Sequence, residues 1–165
     1  MTILKAIFLV IFFIININYA AAAQTAMIAI DVDTNEVLLE NNSKVRLHPA
    51  GLTKLMTLYI ALQAIESGKV SLDKPITVSN KASWVIGSEV KLDEGTEIAL
   101  RYLIRASGVG GANDASMAIA EGLSGSEELF AQRMNIASND IVLANSSWKN
   151  PHGLTEKIIS ALPQT

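Results

Sequence analysis

The sequence predicts a mixed α/β (α+β) fold in which an N-terminal β-hairpin is followed by a lobe of helices. Three observations carry this. A short apolar run, Thr25 to Asp31, leads through turn residues into a second extended run, Glu36 to Glu40. Apolar residues then recur at helical spacing from Leu52 to Ile65, between Pro49 and Gly68. Further helical patterns follow over 97–105, 114–122 and 126–137.

Composition narrows the class of molecule. The 165 residues are 50% hydrophobic and 18% charged, with a formal net charge of −3 and no cysteine. Disulfide frameworks and thiolate metal sites are therefore excluded. No cofactor or metal is expected. A pI near 5.4 lacks the basic excess that phosphate backbones demand, so no nucleic-acid partner is expected either.

Within residues 1–23, all but Thr2, Lys5, Asn16 and Asn18 are apolar. A positive n-region, the apolar run Ala6 to Ile15, and the small residues Ala20 to Ala23 describe a secretory signal peptide. An uncleaved membrane anchor is the alternative, but that run falls short of the roughly 20 residues a bilayer requires. The reading is a signal peptide over 1–23, one domain over 24–165, and an exported, periplasmic protein. A peripheral association with the inner membrane is compatible with this.

Along the mature chain, Asp33-Thr34-Asn35 supplies the hairpin turn. Asp31-x-Asp33-x-Asn35 has the spacing of a calcium loop, yet Glu36 stands where such a loop needs Gly and Asn42 where it needs Glu. The helix over 52–67 carries Leu52, Leu55, Met56, Tyr59, Ile60, Leu62, Ala64 and Ile65, which predicts more than one buried face. Pro49 sets its start and Gly68 its stop. Residues 69–94 are turn-rich, with strand-like pieces at Ile76-Thr-Val78 and Glu89-Val-Lys-Leu92. Helices are expected from Glu97 to Arg105, Asp114 to Gly122 and Ser126 to Ala137, the last opened by Glu127 and Glu128 in its first turn. An irregular stretch runs from Val142 to Leu154, and no internal repeat is present.

Lys54 is an unusual residue for the first turn of a helix, because the macrodipole disfavours a cation there. Its neighbourhood is more specific. Pro49-Ala50-Gly51-Leu52-Thr53-Lys54-Leu55-Met56-Thr57, followed by Gly111-Ala112-Asn113-Asp114-Ala115, resembles the serine D-alanyl-D-alanine carboxypeptidases, the low-molecular-mass penicillin-binding proteins of the peptidase S11 family. In that family the two stretches read Pro-Ala-Ser-x-x-Lys and Ser-x-Asn-Asp-Ala. The likeness extends to a Gly87-Ser88 loop, Leu103-Ile104, Ala118-x-Ala120-Glu121 and Asn150-x-x-Gly153-Leu154.

The resemblance implies a β-lactamase/transpeptidase-like fold, acting on peptidoglycan stem peptides that end in D-Ala-D-Ala. In the family a Ser at the helix N-terminus attacks the peptide, and the Lys one turn on takes its proton. The second-motif Ser relays protons to the leaving amine, the Asn holds the substrate amide and the Lys, and a later Lys-Thr-Gly strand binds the substrate carboxylate.

This chain departs from that pattern. Gly51 occupies the nucleophile's position, Gly111 that of the second-motif Ser, and no Lys-Thr-Gly occurs in the 165 residues. Lys54 (general base position) and Asn113 match residue for residue. The expectation is a truncated domain lacking the C-terminal strands of its sheet, with apolar surface left exposed. It would be inactive as it stands, and would acquire β-lactams only if a nucleophile were present. Alternatives are a non-catalytic peptidoglycan-binding protein or the remnant of a decayed gene. A class A β-lactamase fits less well, for want of a Glu-x-x-Leu-Asn after Asn113. Thr53, Thr57 and Ser107 are poor substitutes for the missing hydroxyl. His48 and His152 are expected in loops or core, and Trp84 and Trp148 in packing or cleft walls. Oligomeric state is left open.

Overall fold

The computed structural model describes residues 25–143 and 145–155. The signal segment expected over 1–23 lies outside them. Two compact units form, divided between Leu47 and His48.

The first unit is the hairpin. Strands β1 (Met27–Ile30) and β2 (Val37–Asn41) pair antiparallel, Ile28 opposite Glu40 and Ala29 opposite Leu39, with a bulge between Ala29 and Ile30. The Asp31 carboxylate builds the turn: it accepts from the backbone N–H groups of Asp33 at 3.0 Å and Thr34 at 2.8 Å, and from the Thr34 hydroxyl at 2.9 Å. The Thr34 N–H, and then its hydroxyl, hold the Asp31 carboxyl below its ordinary pKa. Asn35 takes φ 58, a left-handed conformation that Asn tolerates.

The second unit begins with a 3₁₀ turn, Ala50–Leu52, running into α1 (Thr53–Glu66). Gly68, at φ 69, ends the helix. Strand β3 (Pro75–Thr77) follows, then the short helix α2 (Asn80–Ser83), capped by Ser79 Oγ accepting from the Ala82 N–H at 2.9 Å. Strand β4 (Glu97–Ala99) leads into α3 (Leu100–Gly108), then α4 (Asn113–Ser124) and α5 (Glu127–Asp140). Ser126 caps α5 by accepting from the Leu129 N–H at 3.2 Å.

Two expectations are corrected here. Glu97–Ala99 is strand rather than helix, because Ile98 pairs opposite the buried Ile76 in the β3–β4 ladder. The strand hands over to α3 without loss: the first N–H groups of the helix, on Leu100 and Arg101, donate to the carbonyls of Lys74 and Leu72. Glu89–Leu92 is loop rather than strand, because its N–H groups find a side-chain acceptor instead of a ladder. Those of Val90 and Leu92 each lie 3.1 Å from the Asp114 carboxylate.

Helix α4 is the centre of this unit, buried at every position from Asn113 to Ala120. Ala115, Ser116, Ala118 and Ala120 are small enough for neighbours to pack closely on several sides. One side meets Ala61, Ile76, Val78, Leu100 and Leu103; the other meets Met56, Ile60, Phe130 and Met134. Helix α1 buries a single face through Met56, Thr57, Ile60, Ala61 and Ala64, and leaves Leu55 and Leu62 exposed, as is Leu52 in the turn before it. This corrects the expectation of more than one buried face.

Gly122 permits the contact between α4 and the β3–β4 ladder. A Cβ there would sit 2.4 Å from Ile76 Cδ1 and 2.7 Å from its Cγ2. Gly122→Ala gains about 1 kcal/mol of helix propensity but overpacks a core contact at about 1–3 kcal/mol. The expected net result is a loss of stability of about 1 kcal/mol in urea unfolding. In an Ile76→Ala background the same substitution becomes neutral or stabilising, because the obstructing atoms are gone.

Candidate functional site

Lys54 and Thr57 lie one turn apart on α1, and both hydrogen-bond to the turn formed by residues 150–154. Lys54 Nζ donates to the His152 carbonyl at 3.1 Å, and Thr57 Oγ1 donates to the Pro151 carbonyl at 2.7 Å. The turn is tied internally as well. Asn150 Oδ1 accepts from the Gly153 N–H at 2.6 Å, and Asn150 Nδ2 donates to the Leu154 carbonyl at 2.8 Å. Gly153 is the point of contact with the helix. At φ 84, a Cβ on this residue would lie 1.9 Å from the Ala50 carbonyl oxygen and 2.7 Å from Thr53 Oγ1. Only glycine allows that approach.

Gly51, by contrast, faces open space. Among the described residues, no heavy atom outside its chain neighbours and its own helical backbone lies within 4 Å of where its Cβ would be, and its φ is not in the left-handed region. Lys54 itself is buried, and burial holds its ammonium below the ordinary lysine pKa. Among the described residues no carboxylate pairs with it to oppose that shift.

His152 is buried, in line with the loop-or-core expectation for this residue. Its Nδ1 accepts from the Leu154 N–H at 3.1 Å, which leaves the ring proton on Nε2. Nε2 lies 3.7 Å from Glu127, whose other carboxylate oxygen is 2.7 Å from Lys81 Nζ. Burial first, and then the positive charges of Lys54 and Lys81, push the imidazole down to about 4. The turn therefore presents its backbone carbonyl to Lys54 and keeps a neutral ring behind it.

Asn113, at the start of α4, holds the neighbouring loop. Its Nδ2 donates to the Ile86 carbonyl at 2.8 Å, and its backbone N–H donates to the Ser88 carbonyl at 2.7 Å. Gly87, at φ 99, lies between them: a Cβ there would be 2.9 Å from Asn113 Nδ2 and 3.9 Å from Leu154 Cδ2. Residues 150–154 thus join the Lys54 side of the site to the Asn113 side. Gly111, at φ 66, stands 3.6 Å (as a notional Cβ) from Ser88 Oγ.

Two of the other hydroxyls are occupied. Thr57 is fully buried, and Ser107 Oγ is paired with Ser116 Oγ at 2.8 Å inside the core. Trp148 packs against the Met56–Phe130 cluster and, with His48, lines a cleft of about 580 Å³ beside Thr53 and Gly153. Trp84 is 60% exposed and borders a smaller cavity of about 180 Å³ shared with Lys81, Glu127 and His152. Among the described residues no group of three or more His, Asp or Glu could hold a metal ion, and no helix is long and apolar enough to cross a membrane.

Residues 150–154 are the part of the site that motif reading undervalued. The available signal was Asn150-x-x-Gly153, an Asn that can accept from the N–H three residues on and a Gly free to turn left-handed.

The site thus holds a buried Lys on the first turn of α1 and a buried Asn at the start of α4. Comparison with known proteins gives the family. The model of the D-alanyl-D-alanine carboxypeptidase family, Peptidase S11, matches residues 16–162, and this chain belongs to that family. D-alanyl-D-alanine carboxypeptidase DacF of Bacillus subtilis is 38% identical over 138 residues, covering 84% of this chain and 35% of the relative. The crystal structure of the carboxypeptidase DacD from Francisella tularensis superposes with a TM-score of 0.76 at 33% identity, covering 81% of this chain and 33% of that one. Penicillin binding protein 5 from Haemophilus influenzae gives a TM-score of 0.76 at 29% identity, over 82% of this chain and 40% of that one. The chain spans about a third of the length of the curated relatives it matches.

Two predictions follow from the 150–154 turn. Gly153→Ala should lower the unfolding free energy by at least about 2 kcal/mol, from left-handed strain and the collision with Ala50, as read by urea denaturation. The second concerns pH. Folding lowers the His152 pKa from 6.5 to about 4, so the unfolded chain binds a proton in that window that the folded chain excludes. The His152 contribution to stability should therefore fall as pH drops from 6.5 to 4, by up to about 3 kcal/mol. In His152→Gln the loss of stability between pH 7 and 4 should be smaller by that amount.

Proposed function

We propose that this chain is a member of its family directed at peptidoglycan stem peptides ending in D-Ala-D-Ala, and that as it stands it carries out no acyl transfer. Gly51 is the observation that carries this reading. It occupies the open first turn one turn before Lys54, where the chemistry needs a hydroxyl, and glycine has none. Thr57 and Ser107 are already committed to internal hydrogen bonds. Removing the nucleophile from a comparable catalytic unit costs about 10⁶ in kcat. Lys54 and Asn113 persist as the general-base and amide-holding positions, so part of the recognition surface remains. With a segment over 1–23 that reads as a signal peptide, we place the chain outside the cytoplasm, in the periplasm, where that substrate lies.

The test combines D-alanine release from a D-Ala-D-Ala pentapeptide with labelling by a fluorescent penicillin. The wild-type chain should release no D-alanine and form no ester-linked adduct. A stoichiometric ester on a Ser or Thr would overturn the proposal. Gly51→Ser is expected to fold with stability within about 0.5 kcal/mol of wild type, because its side chain enters open space. Ser at 111 must adopt φ 66 at a cost of about 1–2 kcal/mol. The double Ser variant should not regain turnover without a Lys-Thr-Gly element, and robust D-alanine release by it would refute that requirement.

A further inference from the structure

We propose that the cavity between Trp84 and His152 is a binding site for a small monocyclic phenol, whose hydroxyl bridges His152 and Glu127. Two polar atoms face each other there without meeting. His152 Nδ1 accepts from the Leu154 N–H, so the ring proton is on Nε2. Nε2 lies 3.7 Å from Glu127 Oε1, beyond hydrogen-bond length, and among the described residues no other acceptor serves it. The His152 side chain is only 1% exposed, so bulk solvent does not reach this donor freely. Leaving such a donor unpaired is costly, and both His152 and Glu127 line the cavity.

One hydroxyl satisfies both atoms. It accepts from the Nε2–H and donates to Oε1, and a gap of 3.7 Å lets a single oxygen reach the two. Glu127 keeps its other oxygen, Oε2, on Lys81 Nζ at 2.7 Å. A ligand carboxylate in the same place would meet the charge of Glu127. A ligand ammonium would find no acceptor on the His152 ring and would compete with Lys81 for Glu127. The group that fits is therefore a neutral hydroxyl.

The rest of the cavity selects a ring. Val85, Met117 and Leu154 supply apolar wall, and Trp84, exposed to solvent, forms the outer side. The volume is about 180 Å³. An apolar cavity of about 150 Å³ holds one benzene ring, so a single six-membered ring is the right size here. The Trp84 indole is placed for an offset or edge-to-face contact with it. Polar atoms on one side and apolar walls on the others fix the orientation, hydroxyl inward and ring outward. Binding forms no covalent bond and uses neither Gly51 nor Lys54, so the outcome of the acylation test leaves this site untouched.

The test is calorimetric titration of the full chain at pH 7 with phenol and, separately, with toluene, which carries a methyl in place of the hydroxyl. Phenol should bind one-to-one with a Kd of about 1 mM or tighter, the range open to so small a ligand. Toluene should bind at least about tenfold more weakly, because it leaves both polar atoms unpaired. Trp84→Ala removes an exposed wall and no core contact, so circular dichroism should stay unchanged while phenol binds about tenfold more weakly. Absence of saturable phenol binding up to about 10 mM would overturn the proposal. So would toluene binding as tightly as phenol, or undiminished phenol binding by folded Trp84→Ala.

Discussion

Backbone meets backbone where Gly153 packs on the carbonyl of Ala50, and the rest of the site depends on that contact. Without a side chain at 153, the turn at 150–154 comes close enough for two of its carbonyls to accept from Lys54 and Thr57. Any Cβ would push the turn outward, and both donors on α1 would lose their acceptors within a buried region. Such donors are costly to leave unpaired. The same turn carries His152 inward beside Glu127, and Leu154 toward Gly87. One missing side chain thus determines where a lysine amine, an imidazole and an amide sit.

A second constraint comes from α4, which begins with two buried polar residues. The Asp114 carboxylate accepts from Val90, Leu92 and its own following N–H on Ala115, while Asn113 holds Ile86 and Ser88. A buried carboxylate satisfied by three backbone donors near a helix N-terminus is electrostatically well placed. It fixes the loop at 86–92 from within, with no need for a partner strand. This is why a segment with β-branched, alternating character remains a loop.

Much of the fold was legible because it rests on local periodicity and punctuation. Pro49 and Gly68 bracket α1, Ser126 caps α5, and Asp31 with Asn35 turns the hairpin. The pattern failed where a distant partner overrides the local one. Glu97-Ile98-Ala99 reads as helix until Ile76 is placed opposite Ile98. Leu52, Leu55 and Leu62 read as a second buried face, yet the described residues leave them exposed. At the site, Lys54 and Asn113 stood out by motif alone, whereas nothing local pairs Thr57 with Pro151, and Asn150-x-x-Gly153 signals a turn but not its contact with Ala50.

By itself the sequence pointed to the family and set a glycine at 51, a lysine at 54 and an asparagine at 113, because residue identity settles which atoms exist. Only the tertiary structure decided what surrounds them. It showed the space at Gly51 to be open, the backbone at Gly111 to be left-handed, and the Lys54 amine to be buried on a carbonyl rather than on a carboxylate. Those properties arise from contacts between segments nearly a hundred residues apart, between Lys54 and His152 above all, and no local pattern encodes them.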